Sequence, residues 1–188
     1  MWIREVVNSL KEEKKQVEQS FGMLDEEQLL YKPAPKKWSI AECLQHLYIA
    51  NSLYLKDIES RLNKSEVVTI EYPIKLSWMG KLFLYFVDPQ YKWKVKAPKI
   101  FKPVHKNSVH SGKEVLNNYL KLQDELIEAA ERAMGYDHKN IYTYSPLSSL
   151  LRFNIGEQFY IMLRHEKRHI NQALRVKEQL KTNNYVHQ

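Results

Sequence analysis

One cysteine, Cys43, stands in 188 residues. A single thiol excludes an internal disulfide framework, the usual staple of small secreted domains. Glycine is scarce at 5 and proline at 7, which argues against a loop-rich or low-complexity chain. No apolar run is long enough to span a bilayer; Leu82 to Val87 is among the longest. Trp2 to Gln19 alternates charged and apolar side chains instead of forming the apolar centre of a leader. These absences set the expectation of a cytoplasmic protein with no membrane partner. With 44% hydrophobic and 27% charged residues, the chain reads as one globular domain over residues 1–188 with a sizeable core.

Acid is missing where base is richest. No Asp or Glu lies between Asp88 and Glu114, while Lys92, Lys94, Lys96, Lys99, Lys102, Lys106 and Lys113 do, within a chain of net charge +7. A solvated connection is the favoured reading. A positive rim that attracts an anionic small substrate is the second. The third, nucleic-acid binding with Tyr91, Trp93 and Phe101 against bases, is the least favoured.

What is present is helical periodicity. Val6, Val7, Leu10, Val17 and Phe21 mark an amphipathic first helix, closed by Gly22 and by Pro33-Ala34-Pro35. Ser39 with Glu42 forms a capping box that starts a second helix, reaching about Asn63, with Trp38 as a staple over Cys43. His46 has Cys43, Ile49, Ala50 and Leu53 as helical neighbours, so its ring is expected in the core. Asp57 is its nearest candidate polar partner, and by spacing alone a core histidine is the plainer reading than a ligand. Residues 64–112 lose helical regularity, apart from strand-like Glu66–Tyr72 and a short apolar helix over Trp78–Val87. That length lets the third helix start at the same end as the second. Ser111 with Glu114 opens the third helix, which runs to about Met134 with Gly135 as its stop. Tyr136–Ser149 reads as a loop. Asn154 with Glu157 caps a final helix to about Leu180, and residues 182–188 read as a frayed tail. The expected fold is all-α, with four long helices and no sheet.

His165 and His169 stand four apart on the last helix, which stacks two imidazoles on one face. The string His165-Glu166-Lys167-Arg168-His169 also fits a zinc-protease pattern with Glu166 as base. Such proteases need a further ligand downstream, where only Glu178 and His187 follow, and a sheet edge for the substrate. Glu166 is better read as a surface residue or a hydrogen-bond partner of a ligand. Gln158 and Gln172 lie near the histidine face. Cys43, one turn from His46, reads as a core thiol and not a nucleophile.

Two stretches carry a family resemblance. Lys37-Trp38-Ser39-Ile40-Ala41-Glu42-Cys43-Leu44-Gln45-His46-Leu47 and His165-Glu166-Lys167-Arg168-His169-Ile170-Asn171-Gln172 resemble the two hallmarks of the DinB-like superfamily. Ala97-Pro98-Lys99-Ile100-Phe101-Lys102-Pro103 is similar to the proline-bearing crossover of its YfiT-like branch. The resemblance implies an up-down-down-up four-helix bundle in which His46, His165 and His169 hold a metal. Three imidazoles leave positions open to water or substrate, as in catalytic sites. They suit zinc or nickel best, and iron or manganese also fit. Relatives that the chain resembles include metal-dependent hydrolases and S-transferases that use a low-molecular-weight thiol of the bacillithiol or mycothiol kind as co-substrate. The implied function is a metal-dependent enzyme of small molecules, with a non-catalytic metal-binding or stress-response module as the rival. Bundles of this kind often pair, so a homodimer is a further expectation.

Overall fold

The structure is a computed structural model that describes residues 1–68, 73–90, 97–103 and 111–186, and these are mostly helical. In order they form α1 (Ile3–Phe21), a short α2 (Glu26–Leu30), α3 (Ile40–Leu62), α4 (Trp78–Val87), a 3-10 turn (Lys99–Phe101), α5 (Gly112–Ala133), β1 (Tyr142–Ser145), β2 (Ser148–Asn154) and α6 (Ile155–Val186). Of the long helices, α1 packs on α5 and α6, and α3 packs on the same two, which closes a four-membered ring around the core.

The core has two apolar layers separated by a polar waist. Leu10, Ile58, Leu126 and Phe159 belong to one layer. Phe21, Leu44, Tyr119 and Ile170 belong to the other. Between them in every long helix sits a buried polar residue: Glu13 in α1, His46 and Asn51 in α3, Gln123 in α5 and Glu166 in α6. Each layer closes by ordinary apolar burial. The waist requires hydrogen bonds or bound ligands instead, because buried polar groups are costly without them.

The helix starts show how the sequence sets these boundaries. Ser39 Oγ accepts from Glu42 N at 3.1 Å, and the Glu42 carboxylate accepts from Ser39 N at 2.8 Å. Asn154 and Glu157 cap the start of α6 in the same reciprocal way, at 2.8 and 3.2 Å. At α5 the expected box is only half formed. Ser111 Oγ accepts from Glu114 N at 3.1 Å, but Glu114 gives no return bond. Its place is taken by Glu26 of α2, whose carboxylate accepts the N–H groups of Gly112 and Lys113. A carboxylate at a helix N-terminus also meets the positive end of the helix dipole.

Helix α4 is gripped by α6 at both ends. The Glu157 carboxylate accepts from Ser77 N, at the N-terminus of α4. At the other end Arg164 pairs with Asp88 at 2.5 Å, and Arg168 donates to the carbonyls of Phe86 and Asp88 at 3.2 and 3.0 Å. The crossover is therefore fastened to the helix that carries the histidine pair.

Several expectations change. Residues 142–154 form an antiparallel hairpin, with Tyr142 opposite Asn154, where a loop and no sheet were expected. Thr143 is buried between exposed Tyr142 and Tyr144, an alternation of a few residues that is too short to read from sequence. Helix α2 was not expected, although Asp25 and Gln28 cap it reciprocally. Helix α6 continues past Leu180 to Val186. Thr69–Tyr72, the end of the strand-like stretch, lies outside the described residues, and so does His187.

The junction of α2 and α5 yields a test. A Cβ on Gly112 would come within 2.6 Å of Leu29 Cβ, in a fully buried spot beside the backbone. A Cβ on Gly135 would meet nothing nearer than 3.5 Å. Gly112→Ala should lose about 1–3 kcal/mol by overpacking, and Gly135→Ala should stay within about 0.5 kcal/mol of the native protein. Urea denaturation of both variants measures the contrast.

Candidate metal centre

The capping box at Ser39 fixes the first turns of α3, and His46 follows on its buried side, 3% exposed. Across the α3–α6 interface stand His165 and His169. The ligand atoms of the three rings all lie within 4.8 Å of one another. His46 Nε2 and His165 Nε2 are 3.2 Å apart, and ring centroids are 4.5 Å for His46–His169 and 4.7 Å for His165–His169.

Two of the rings are oriented by their other nitrogen. His46 Nδ1 donates to the Phe101 carbonyl at 2.6 Å, which places the lone pair of the neutral ring on Nε2. His169 Nδ1 donates to Gln172 Oε1, one turn on, at 3.1 Å, with the same result. Such partners orient metal-binding imidazoles generally. Trp38 forms a wall over the site, 5.0 Å from the His46 ring and 5.6 Å from His169. It was expected as a staple over Cys43. Cys43 is itself fully buried in the apolar layer, where burial pushes its thiol far up and out of the reactive range.

Burial also keeps the imidazoles neutral. Desolvation lowers His46, against the opposing bond to Phe101. His165 is driven well down by burial and by the positive charge that His169, His46 and Arg168 would bring near it. His169 falls to about 3, again by burial first. Neutral rings with converging Nε2 atoms form the donor set that zinc-like ions take. The separation of 3.2 Å between two of the Nε2 atoms is close to the edge of about 3.3 Å that a tetrahedral ion with Zn–N bonds near 2.05 Å would need. The residues present thus fit a divalent metal.

The other expected residues fall in different places. Asp57 does not serve His46: it accepts from Arg61 and from Tyr144 N, at 3.2 and 2.9 Å, anchoring the hairpin. Gln158 is fully buried. Glu166 is not a surface residue. It is 0% exposed, one residue round the helix from His165 and turned into the bundle. Its Oε1 accepts from Asn51 Nδ2 at 2.7 Å, from Gln123 Nε2 and, more weakly, from the Tyr119 hydroxyl at 3.5 Å. None of its hydrogen bonds reaches a histidine. Phe101 is buried against Tyr54 and not presented to a nucleic-acid base. Lys99 and Lys102 are exposed, and Lys113 donates to the Gly22 carbonyl at 3.0 Å. Lys92, Lys94, Lys96, Lys106, Tyr91 and Trp93 lie outside the described residues. Sequence spacing missed the Phe101 carbonyl, a main-chain group 55 residues from its partner. Gln172 carried a visible signal, three residues after His169.

The buried Glu166 generates a pH prediction. Desolvation pushes its carboxyl up to about 8, with Glu13 adding to the rise and the bonds from Gln123, Asn51 and Tyr119 opposing it. The folded state therefore holds a proton that the unfolded chain releases above about pH 4.5. The contribution of Glu166 to stability falls as pH rises between about 4.5 and 8, by a few kcal/mol at most, while the lowered histidines act in the opposite sense below about pH 6.5. Glu166→Gln removes this dependence. In chelator, urea denaturation should show the variant gaining on the native protein between pH 5 and pH 8.5; a constant difference would contradict the assignment.

A sequence profile described as the DinB superfamily matches residues 9–173. No curated protein matches the chain. Among solved structures, the fold is similar to that of YfiT from Bacillus subtilis, at TM-score 0.58 and 12% identity, over 95% of this chain and 87% of that one. That protein is described as a probable metal-dependent hydrolase with an unusual four-helix bundle topology. The profile match spans nearly the whole bundle, from α1 to the turn after the histidine pair, and the chain belongs to the DinB superfamily.

Proposed function

We propose that the protein is a metal-dependent enzyme of small molecules, of the hydrolase type, working at His46, His165 and His169. The observation that carries this reading is the convergence of three neutral imidazoles, two of them already oriented through Nδ1, on one point. A fully structural zinc site would enlist a fourth protein ligand. The family relationship and the description of YfiT support the same reaction class.

When bound, a divalent ion here, zinc or nickel by the imidazole donor set, supplies Lewis acidity toward water or a thiol. The chain's own residues do the rest. Phe101 and Gln172 hold the tautomers of His46 and His169. Trp38 shields two of the rings on one side. Glu166, bonded to α3 and α5, is a positioning residue for α6 rather than the base. The lysines of the crossover would draw an anionic substrate. Transfer to or from a low-molecular-weight thiol is the second chemistry at the same site.

The same reading takes the bundle as up-down-down-up. Support comes from contacts whose numbering runs oppositely between α1 and α5, with Lys11 to Glu131 and Lys14 to Asp124, at 2.6 and 2.7 Å. Numbering runs together between α3 and α5, where Asn51 and Gln123 share Glu166 and Glu59 pairs with Arg132. We also expect a cytoplasmic homodimer; among the described residues no helix is long and apolar enough to cross a membrane.

Metal reconstitution followed by elemental analysis tests the proposal. The native protein should hold about one zinc or nickel per chain, while His46→Ala, His165→Ala and His169→Ala each weaken binding about 100-fold or more. The loaded protein should hydrolyse members of an ester, amide and lactone panel, or transfer a thiol to an aryl electrophile, and His165→Ala should lose that rate. Absence of stoichiometric metal overturns the site. Metal bound with equal rates in both proteins leaves a binding module and overturns the enzyme.

A further inference from the structure

Helix α4 is apolar almost all round. Of its ten residues, Lys81 alone is charged. A helix of that composition is normally buried on every side. Here the chain itself covers one side: Phe83 packs on Phe153 with ring centroids 5.3 Å apart, and Gly80 is buried against the Glu157 carboxylate. The opposite side meets solvent. Trp78 is 73% exposed, Leu82 48%, Tyr85 60% and Phe86 41%. Apolar side chains of this size, gathered on one face, mark a surface that another body covers.

The spacing on that face is symmetric. Trp78, Leu82 and Phe86 follow one another at i, i+4 and i+8, which makes a single ridge along the helix. Leu82 is its midpoint. When two such ridges meet about a two-fold axis at Leu82, Trp78 of each copy comes beside Phe86 of the other, and Leu82 beside Leu82. Every contact is matched, as a two-fold interface requires. Packing between ridges of this i, i+4 kind is also the commonest class of helix contact. Tyr85 broadens the face, with its ring edge-on to Phe86 at 5.7 Å.

Area and charge both favour a second copy as the occupant. With whole aromatic side chains near 150–250 Å², these four residues and half-buried Met79 beside them expose roughly 500 Å² per copy. Two copies then cover about 1,000 Å², the size at which a specific interface begins. Charge limits where copies can meet, because each carries a net charge of +7. The ridge carries none. Lys81 points about 100° away from Leu82 and stays at the rim.

We propose that two copies of the chain meet on this face of α4, as an antiparallel helix pair with its two-fold axis at Leu82. The inference rests on the homodimer expected above and assigns its surface. Helix α6 holds α4 at both ends and carries His165 and His169. Each metal centre is thereby braced against the interface through one helix.

Sedimentation equilibrium of the full chain, with zinc and in chelator, tests the assignment. A dimer is expected whose association tightens as sodium chloride rises, since salt screens the repulsion between copies. Leu82→Asp should weaken association about 100-fold or more by burying a charge in the contact, with helix content and zinc stoichiometry unchanged. Leu150→Asp, at an 87% exposed position on the hairpin, should leave association within about twofold. Cys43 is buried, so Leu82→Cys supplies the accessible thiol, and a short bismaleimide should join two copies through it. Leu150→Cys should not cross-link. A native protein that stays monomeric at tens of micromolar overturns the proposal. So does a dimer that survives Leu82→Asp, which moves the homodimer to another face. A monomer that sediments with phosphatidylglycerol vesicles, and loses them on Leu82→Asp, overturns it in favour of a lipid surface. None of these readouts depends on turnover, so failure here is distinct from failure of the metal centre.

Discussion

The rotation of α6 about its own axis is the constraint on which the rest depends. Successive residues of a helix point about 100° apart. Arg164, His165 and Glu166 therefore face three ways at once: to the end of α4, to His46, and into the bundle. A shift of α6 by one residue would exchange these roles. It would place a guanidinium or a carboxyl where an imidazole belongs. The hydrogen bonds from Asn51 and Gln123 to Glu166 come from two different helices, so they fix that rotation from two directions. These bonds are directional, whereas apolar contacts in their place would bury area without fixing a direction.

Sequence and structure agree where a signal is local. Ser39 with Glu42 and Asn154 with Glu157 are complete within four residues, and both caps form as written. The histidine pair is equally local, since spacing on one helix decides its face. Disagreement begins where a partner comes from far along the chain. Glu114 stands at the right place for a cap, yet Glu26 occupies the N-terminus of α5 from 86 residues away. Glu166 looked like a surface residue inside a charged string. Its three polar partners on α3 and α5 are what make burial tolerable, and no local pattern names them. The union of His46 with the pair across the bundle was legible only through family resemblance, for its own helical neighbours are apolar.

Helix α4 shows how an irregular crossover can still be held in register. Its own residues are mostly apolar, yet Trp78 is 73% and Leu82 48% exposed, so burial alone fastens it poorly. The grip is electrostatic and directional: an acid at the helix N-terminus, the Arg168 guanidinium on its terminal carbonyls and Arg164 on the Asp88 carboxylate, all supplied by α6. Position along the crossover is thereby measured against the same helix that carries His165 and His169.

The bond from His46 to the Phe101 carbonyl has a consequence for how this protein can change over time. A side-chain partner can be lost by a single base change, but a main-chain carbonyl is offered by every amino acid. Drift at position 101 thus leaves the tautomer of His46 intact, provided the new side chain keeps the turn seated against Tyr54. What would release it is an insertion or deletion in the crossover, which moves the carbonyl itself. Length, more than composition, is the inherited property that the segment between α4 and α5 must preserve.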